Sequence, residues 1–361
     1  MLQVHNHTPF AASLTVFPCP QGVETAYAVV KATFRFTQDG LMPQVPALPL
    51  LAADVYLAEP DRSSLRAAGE IALLKTATDV LLSGTAVAPA PDTRVADVGL
   101  LVGPVRRVLR VFGERRWTRG LLGWHLTDPE PWQQLALSWE LAYGGVAPLQ
   151  PGQAVPAYEP RNPVGLGYLA PGQEPLEGQR LPRIEDAAQP IASPDDRPVP
   201  AGLGPIAPTW MPRRQYAGTY DEAWMAGRAP YLPLDFDPRY FQVAPPELVA
   251  PGFLQGGESV RLLGFNPHLP TAFALPQCGL QVQFHFRGRE VAGQPQLETV
   301  LIEPDAARLQ MLWRCALPVD KHLAQLSAVT VLSERWAADG RPASPLGGLG
   351  HLPAAYAAAE A

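Results

Sequence analysis

The stretch Tyr27-Ala28-Val29-Val30-Lys31-Ala32-Thr33-Phe34-Arg35-Phe36 alternates with a period of two. Val30, Ala32, Phe34 and Phe36 fall on one side, and Lys31, Thr33 and Arg35 on the other. Successive side chains of a β-strand point to opposite faces, so the pattern predicts a strand with one buried and one solvated face. The same period recurs along the chain. Leu135, Leu137, Trp139 and Leu141 share a face against Ser138 and Glu140. Leu280, Val282, Phe284 and Phe286 alternate with Gln281, Gln283, His285 and Arg287, and Leu309, Met311, Trp313, Cys315 and Leu317 with Gln310 and Arg314. A further run, Thr299 to Glu303, lies between these two, and Gly288 and Gly293 supply turn chemistry. Together they predict an antiparallel meander over 260–317. Further strands are expected at 79–88 and 97–112.

Helix is scarce by the same reading. The chain carries 42 Pro, and proline removes a backbone donor and clashes inside a helix. Ser63 to Leu74 is the best helical candidate, with serine able to cap it. Thr219 to Met225 and the Ala-rich tail Ala354 to Ala361 are the others. The expected fold class is therefore mainly β: an antiparallel β-sandwich or barrel-like sheets, with few short helices. At 361 residues the chain is long enough for two cores or one large β architecture with insertions.

Composition divides the chain into four stretches. Residues 1–144 read as an N-terminal β region, and 259–335 as a C-terminal β meander packed with it; 336–361 is a tail. Between the β regions, 145–258 is crowded with Pro and Gly, yet it also holds Tyr158, Tyr168, Trp210, Tyr216, Tyr220, Trp224, Tyr231, Phe236, Tyr240 and Phe241. Disordered linkers are poor in aromatics. The stretch therefore reads as a long, ordered, Pro/Gly/aromatic-rich insertion, and long ordered loops usually have work beyond connection.

Formal net charge is −6, and no Lys or Arg block reads as a nucleic-acid footprint. No apolar run spans a bilayer and the first ten residues lack a signal peptide, so membrane insertion is not expected and the cytoplasm is the expected compartment. Cys19, Cys278 and Cys315 are an odd, widely spaced set that fits reduced thiols, with Cys315 in the core. Of seven histidines only His5 and His7 lie close together, with no further ligands nearby, so neither metal nor cofactor is expected. No nucleophile elbow or phosphate loop is present. The acid pairs Asp195–Asp196, Glu185–Asp186 and Asp235-Phe236-Asp237 read as turn and capping residues, and no enzymatic activity is expected. Trp117, Trp124, Trp132 and Trp139, taken with those loop acids, motivate one alternative: a carbohydrate-binding or carbohydrate-active β-sandwich.

A set of short motifs goes further. Asn6-His7-Thr8-Pro9-Phe10 opens the chain, and Lys75-Thr76-Ala77-Thr78-Asp79-Val80-Leu81-Leu82-Ser83-Gly84 is the most distinctive early match. Val111-Phe112-Gly113-Glu114-Arg115-Arg116-Trp117, Leu141-Ala142-Tyr143-Gly144-Gly145 and Arg161-Asn162-Pro163-Val164-Gly165-Leu166-Gly167 follow. Trp210-Met211-Pro212-Arg213-Arg214 and Leu234-Asp235-Phe236-Asp237-Pro238-Arg239-Tyr240-Phe241 complete the order. In these the chain resembles a family of uncharacterised-domain proteins found with type VI secretion clusters. Several of these act as adaptors or chaperones for effectors bearing PAAR domains. Gly69-Glu70 departs from the pattern, standing where a serine–aspartate pair is expected before Lys75. The resemblance implies a PAAR-domain effector or PAAR protein as partner, the VgrG spike as the loading target, and no catalytic residues. The insertion is rich in Trp, Tyr and Arg, which dominate binding hot spots. Trp210, Arg213, Arg214, Asp235, Asp237, Arg239 and Tyr240 are accordingly the candidate partner-binding residues. Structural roles are expected for three motif positions: a Lys75–Asp79 ion pair, a turn tied down by Asn162, and Arg116 stacked on Trp117 or a nearby ring.

Overall fold

The computed structural model describes residues 2–60, 62–71, 73–149 and 154–343. The tail helix expected at Ala354 to Ala361 lies outside the described residues. Strand far exceeds helix: the one α-helix among the described residues is Glu222–Gly227, capped by Asp221, which accepts from Trp224 N.

A six-stranded sheet organises the molecule. Across it run Ala11–Pro18, Glu24–Thr37, Arg308–Pro318, Gln296–Glu303 and Asp79–Leu82, with Gly40–Pro43 also paired to Glu24–Thr37. Only Asp79–Leu82 joins its neighbour in parallel. The alternation of the opening stretch sets the register: Phe34 lies opposite Leu309, Ala32 opposite Met311, Val30 opposite Trp313 and Ala28 opposite Cys315. These residues form one continuous apolar face, but two different sheets cover it. Val30, Ala32, Phe34, Leu309 and Met311 pack in one core with Val98, Leu100, Leu109 and Val260, which come from the five-stranded sheet built on Val95–Val102 and Val105–Phe112. Ala26, Ala28 and Cys315 pack in a second core with Val282, Phe284, Phe286 and Val329, from the four-stranded sheet of Gln3–Asn6, Leu326–Ser333, Leu280–Phe286 and Arg289–Gly293. The result is face-to-face sheet packing on both halves of one long sheet, and none of these sheets closes into a barrel.

Several local expectations are corrected. The run 260–317 is not one meander. Its three hairpins are dealt to three sheets: Ser259–Leu263 with Ala272–Ala274, Leu280–Phe286 with Arg289–Gly293, and Gln296–Glu303 with Arg308–Pro318. The strand expected through Leu141 stops at Ala136, and Trp139–Leu141 is a 3-10 turn. Trp139 turns inward there, and its indole N–H donates to Gly204 O and Pro205 O. No helix forms among the described residues of 63–74; Leu65–Ala67 pairs as a strand with Val55–Tyr56. The serines that might have capped a helix are spent elsewhere. Ser63 Oγ donates to Glu59 O, and Ser64 donates through N and Oγ to the Glu140 carboxylate.

The second face of the six-stranded sheet is not solvated as its polar residues suggest. Lys31 and Thr33 are buried, and Lys31 lies beneath residues 48–51 and 66–70. The close approach of residues 142–145 to 162–167 depends on glycine: a Cβ at Gly145 would sit 2.2 Å from Gly165 O. Asn162, wholly buried, donates to Trp139 O and Tyr143 O and holds this turn as expected. Arg116 makes a different contact from the one foreseen, pairing with Glu114 rather than a ring.

Candidate partner-binding surface and a charged cavity

Residues 213–241 fold into a knob whose polar groups satisfy one another. Asp235 accepts from Thr219 N at 3.0 Å and Thr219 Oγ1 at 2.7 Å, which holds its carboxyl below the usual carboxylate range. Asp237 caps the 3-10 turn Pro238–Phe241 and pairs with Arg239, which lowers its carboxyl likewise. The Arg239 guanidinium lies 4.3 Å from the centre of the Tyr216 ring. Phe236, Tyr240 and Phe241 stack edge to face or tilted at 5.3–5.8 Å. Arg228 ties the knob to the turn at Pro20 and also donates to Leu232 O. This framework leaves Leu234 88% exposed, Met225 67% and Tyr220 53%. These three side chains make the frame a candidate contact surface.

The candidate residues divide by burial. Trp210 and Arg213 lie inside the fold, which corrects the expectation that Arg213 is a surface contact. Arg213 donates to Ile206 O at 2.6 Å and Tyr240 O at 3.0 Å and sits over the Tyr240 ring. Trp210 packs edge-on against Trp139 at 6.1 Å. Arg214, Asp235 and Arg239 are exposed, while Asp237 and Tyr240 are half-buried.

A second exposed apolar feature was not anticipated. The hairpin of Trp117–Gly120 and Gly123–Leu126 turns through Leu121 and Leu122, both fully exposed. Its stem is fixed: Trp117 N donates to Gln179 O, and Arg119 N to the Glu177 carboxylate. Leu176 and Val146 are exposed beside the same stem, on a shallow pocket that includes Arg116 and Arg180. The signal was present as two glycines framing Leu-Leu between tryptophan-bearing runs, but a Leu-Leu turn has none of the usual turn chemistry.

Beneath residues 48–51 and 66–70 lies a cavity of about 510 Å³. Its sheet-side wall is a chain of buried charges. Lys31 Nζ pairs with Glu70 at 2.7 Å and donates to Pro49 O. Arg314 Nη2 donates to Glu70 O, and its Nε to Glu298 at 2.8 Å. Glu298 accepts from Lys75 N, and Lys75 Nζ pairs with Asp79 at 2.6 Å, the expected ion pair. Asp79 accepts in addition from Gln242 Nε2 and Val243 N. The distinctive motif beginning at Lys75 is thus one end of a network running back to Lys31.

The acid pairs are structural. Glu185 is buried against Arg115, and burial pushes its carboxyl up. Asp186 pairs with Arg107, and Asp196 accepts from Ala192 N and Ser193 N. Trp117, Trp132 and Trp139 are buried, so the four tryptophans do not form an open sugar platform. The described residues contain no group of three or more His, Cys, Asp or Glu able to hold a metal ion, and no helix among them is long and apolar enough to cross a membrane. Cys19, Cys278 and Cys315 are free thiols, with burial pushing Cys315 up to about 11.

Residues 21–314 match the family described as an uncharacterized protein conserved in bacteria (DUF2169), and the chain belongs to it. No curated protein and no solved structure matches the chain.

Proposed function

We propose that this protein is a non-enzymatic binding protein of the bacterial cytoplasm: an adaptor or chaperone that holds a PAAR-domain effector or PAAR tip protein and assists its loading onto the VgrG spike. The motif resemblance supports the choice of partner. One structural observation carries the binding role. The 213–241 knob satisfies its own polar groups yet displays Tyr220, Met225 and Leu234 to solvent. Aromatic and Arg side chains supply large contact area with a hydrogen-bonding tip, the composition of interface hot spots. An adaptor of this kind stabilises its cargo by mass action and must release it, which calls for moderate affinity. The carbohydrate reading loses its main support, because three of its four tryptophans are buried.

The test is co-expression with a PAAR effector encoded beside this chain, reading effector solubility and complex formation. Wild-type protein co-purifies with the effector. The double variant Met225→Asp/Leu234→Asp keeps its melting temperature and binds at least tenfold more weakly. Undiminished capture by that folded variant removes the knob from the interface. Absence of any complex with several such effectors removes the adaptor reading.

A further inference from the structure

The six-stranded sheet ends on one side in Ala11–Pro18, which pairs with Glu24–Thr37 and with no other strand among the described residues. Hydrogen bonds of an antiparallel pair alternate, so every second residue of an edge strand turns its N–H and C=O away from its neighbour. The phase is fixed near the turn. Cys19 N donates to Val23 O at 2.8 Å, and Val319 N donates to Glu24 O at 2.8 Å. Glu24, Ala26, Ala28 and Val30 therefore bond toward Arg308–Pro318, and Thr25, Tyr27, Val29 and Lys31 toward the edge strand. Phe17, Thr15, Ser13 and Ala11 lie opposite the latter four. Ala12, Leu14 and Val16 point their backbone groups outward, and no backbone hydrogen bond from the described residues reaches those groups.

Open edges are templates for further pairing, and proteins blunt them with charge, proline, bulges or short length. The other edges of the three larger sheets follow that rule. Ile184–Asp186 and Ala272–Ala274 are 3 residues long, Gln3–Asn6 and Gly40–Pro43 are 4. Arg289–Gly293 opens on Arg289 and Glu290. Asp79–Leu82 is covered, with Leu82 N donating to Leu203 O and Asp79 bridged to Val249. Ala11–Pro18 is 8 residues long, carries no charge, keeps one register throughout and meets proline only at its last position.

We infer that this edge pairs with the same edge of a second copy of the chain, antiparallel across a two-fold axis, joining the two six-stranded sheets into one. The strand is complementary to itself. With the axis at Leu14, Ala12 faces Val16 of the second copy and Leu14 faces its own counterpart, and each such pair exchanges backbone bonds. Between them Phe17 meets Ala11 and Thr15 meets Ser13, so bulky residues face small ones and hydroxyl faces hydroxyl. Moving the axis to Thr15 would bring Pro18, which has no N–H to give, into the ladder. The strand holds no charge, so identical copies meet without like-charge repulsion. Leu14 and Val16 already pack at the margin of the core that contains Phe284 and Val329, and Phe17 is 43% exposed. Both faces of the strand gain neighbours when the sheets join. A two-fold contact uses each edge once, so pairing closes at the dimer. Neither knob nor cargo enters the inference, which stands whether or not the adaptor reading does.

The experiment is sedimentation equilibrium of the full chain over a wide dilution series, with hydrogen exchange of the peptide covering 11–18. The chain dimerises with concentration, and exchange of that peptide slows as the dimer forms. Ser13→Lys/Thr15→Lys, on the face turned from the core, sets like charges opposite each other across the axis. It raises the dissociation constant by about tenfold or more and leaves the monomer's melting temperature unchanged. Ser13→Lys/Thr15→Glu sets opposite charges there and restores the dimer. Ala12→Pro, which removes an outward N–H, also breaks the dimer and decides the matter should the lysines disturb folding. A monomer at every concentration, a dimer left intact by both Ser13→Lys/Thr15→Lys and Ala12→Pro, or equal dimerisation of the two charge variants overturns the inference. If the 11–18 peptide gains protection only when an effector is bound, the edge accepts a cargo strand and self-pairing is overturned.

Discussion

At Arg213 and Arg214, neighbours in the chain, the fold separates two arginines that the sequence presents as a pair. Arg213 is 6% exposed and supplies donors to Ile206 O and Tyr240 O. Arg213→Ala therefore strands the buried Ile206 carbonyl and the half-buried Tyr240 carbonyl and destabilises the protein by about 2–4 kcal/mol. Arg214→Ala, at an exposed position, costs under about 0.5 kcal/mol. Urea denaturation of the two single variants checks the contrast, and equal stabilities refute it. Tyr143 offers a second test with a defined sign. Its hydroxyl is buried without a partner, and burial pushes the phenol up to about 12. An unfolded tyrosine ionises near pH 10. Between pH 10 and about 12 the unfolded chain gives up this proton and the folded chain keeps it. Stability is intact below pH 10 and falls as pH rises, by about 1.4 kcal/mol per unit from this group. Tyr143→Phe removes that component and relieves an unpaired hydroxyl. It should be as stable as wild type at pH 7 and lose less stability from pH 10 to 12. A variant curve parallel to wild type over that window contradicts the assignment.

For the elements, the sequence was most legible where one rule decided the outcome. Period-two runs located Glu24–Thr37, Leu280–Phe286 and Arg308–Pro318, because a strand facing a core must alternate. It was least legible where long-range partners decided. Nothing local says that Lys31 faces a covered cavity rather than water, since its partners Glu70 and Pro49 lie far along the chain. Ser63 and Ser64 look like helix caps until Glu140, 76 residues on, claims Ser64. Hairpins were visible within 260–317, but their assignment to three sheets depends on strands from both ends of the chain. Of the candidate site, the sequence located the knob through its aromatics and missed the Leu121–Leu122 turn and the cavity. The short strand Asp79–Leu82 shows how distant elements are joined. Asp79, fully buried, accepts from Lys75 Nζ, Gln242 Nε2 and Val243 N, tying the sheet edge to the end of the knob segment. Asp79→Ala takes the counter-ion from the buried Lys75 ammonium, which keeps only Thr299 Oγ1, and leaves Val243 N without an acceptor, at a cost of about 3–5 kcal/mol. Lys75→Met/Asp79→Ala recovers part of that loss, since the buried charge is gone, but not all, because Val243 N still lacks an acceptor. A double-mutant cycle by chemical denaturation measures both; additive losses would mean the pair is uncoupled.

At the scale of the whole molecule, apolar surface is displayed on two separate frames, the knob and the tip of the 117–126 hairpin. Leu121 and Leu122 contribute nothing to the core, being fully exposed. Trp117 and Leu126, opposite each other at the hairpin base, pack with Tyr143, Leu181 and Ile191 and hold the stem in place. The two leucines stand at the end of an anchored hairpin, and Leu176 and Val146 are also exposed, in one shallow pocket beside the stem. On the adaptor reading, a cargo with an apolar tip domain and apolar flanking segments engages more than one such surface, and linked contacts multiply in affinity when both can be made at once. Leu121→Ser/Leu122→Asn keeps residue types that suit a tight turn, and should change the stability of the free protein by less than about 0.5 kcal/mol. It should weaken effector capture roughly tenfold, a loss of about 1.4 kcal/mol. Combined with Met225→Asp/Leu234→Asp, the two losses multiply if the surfaces contact separate parts of one cargo. Pull-down affinities of the four proteins, compared at equal melting temperature, decide the matter. Capture at wild-type affinity by the hairpin variant would leave the knob as the sole docking surface under test.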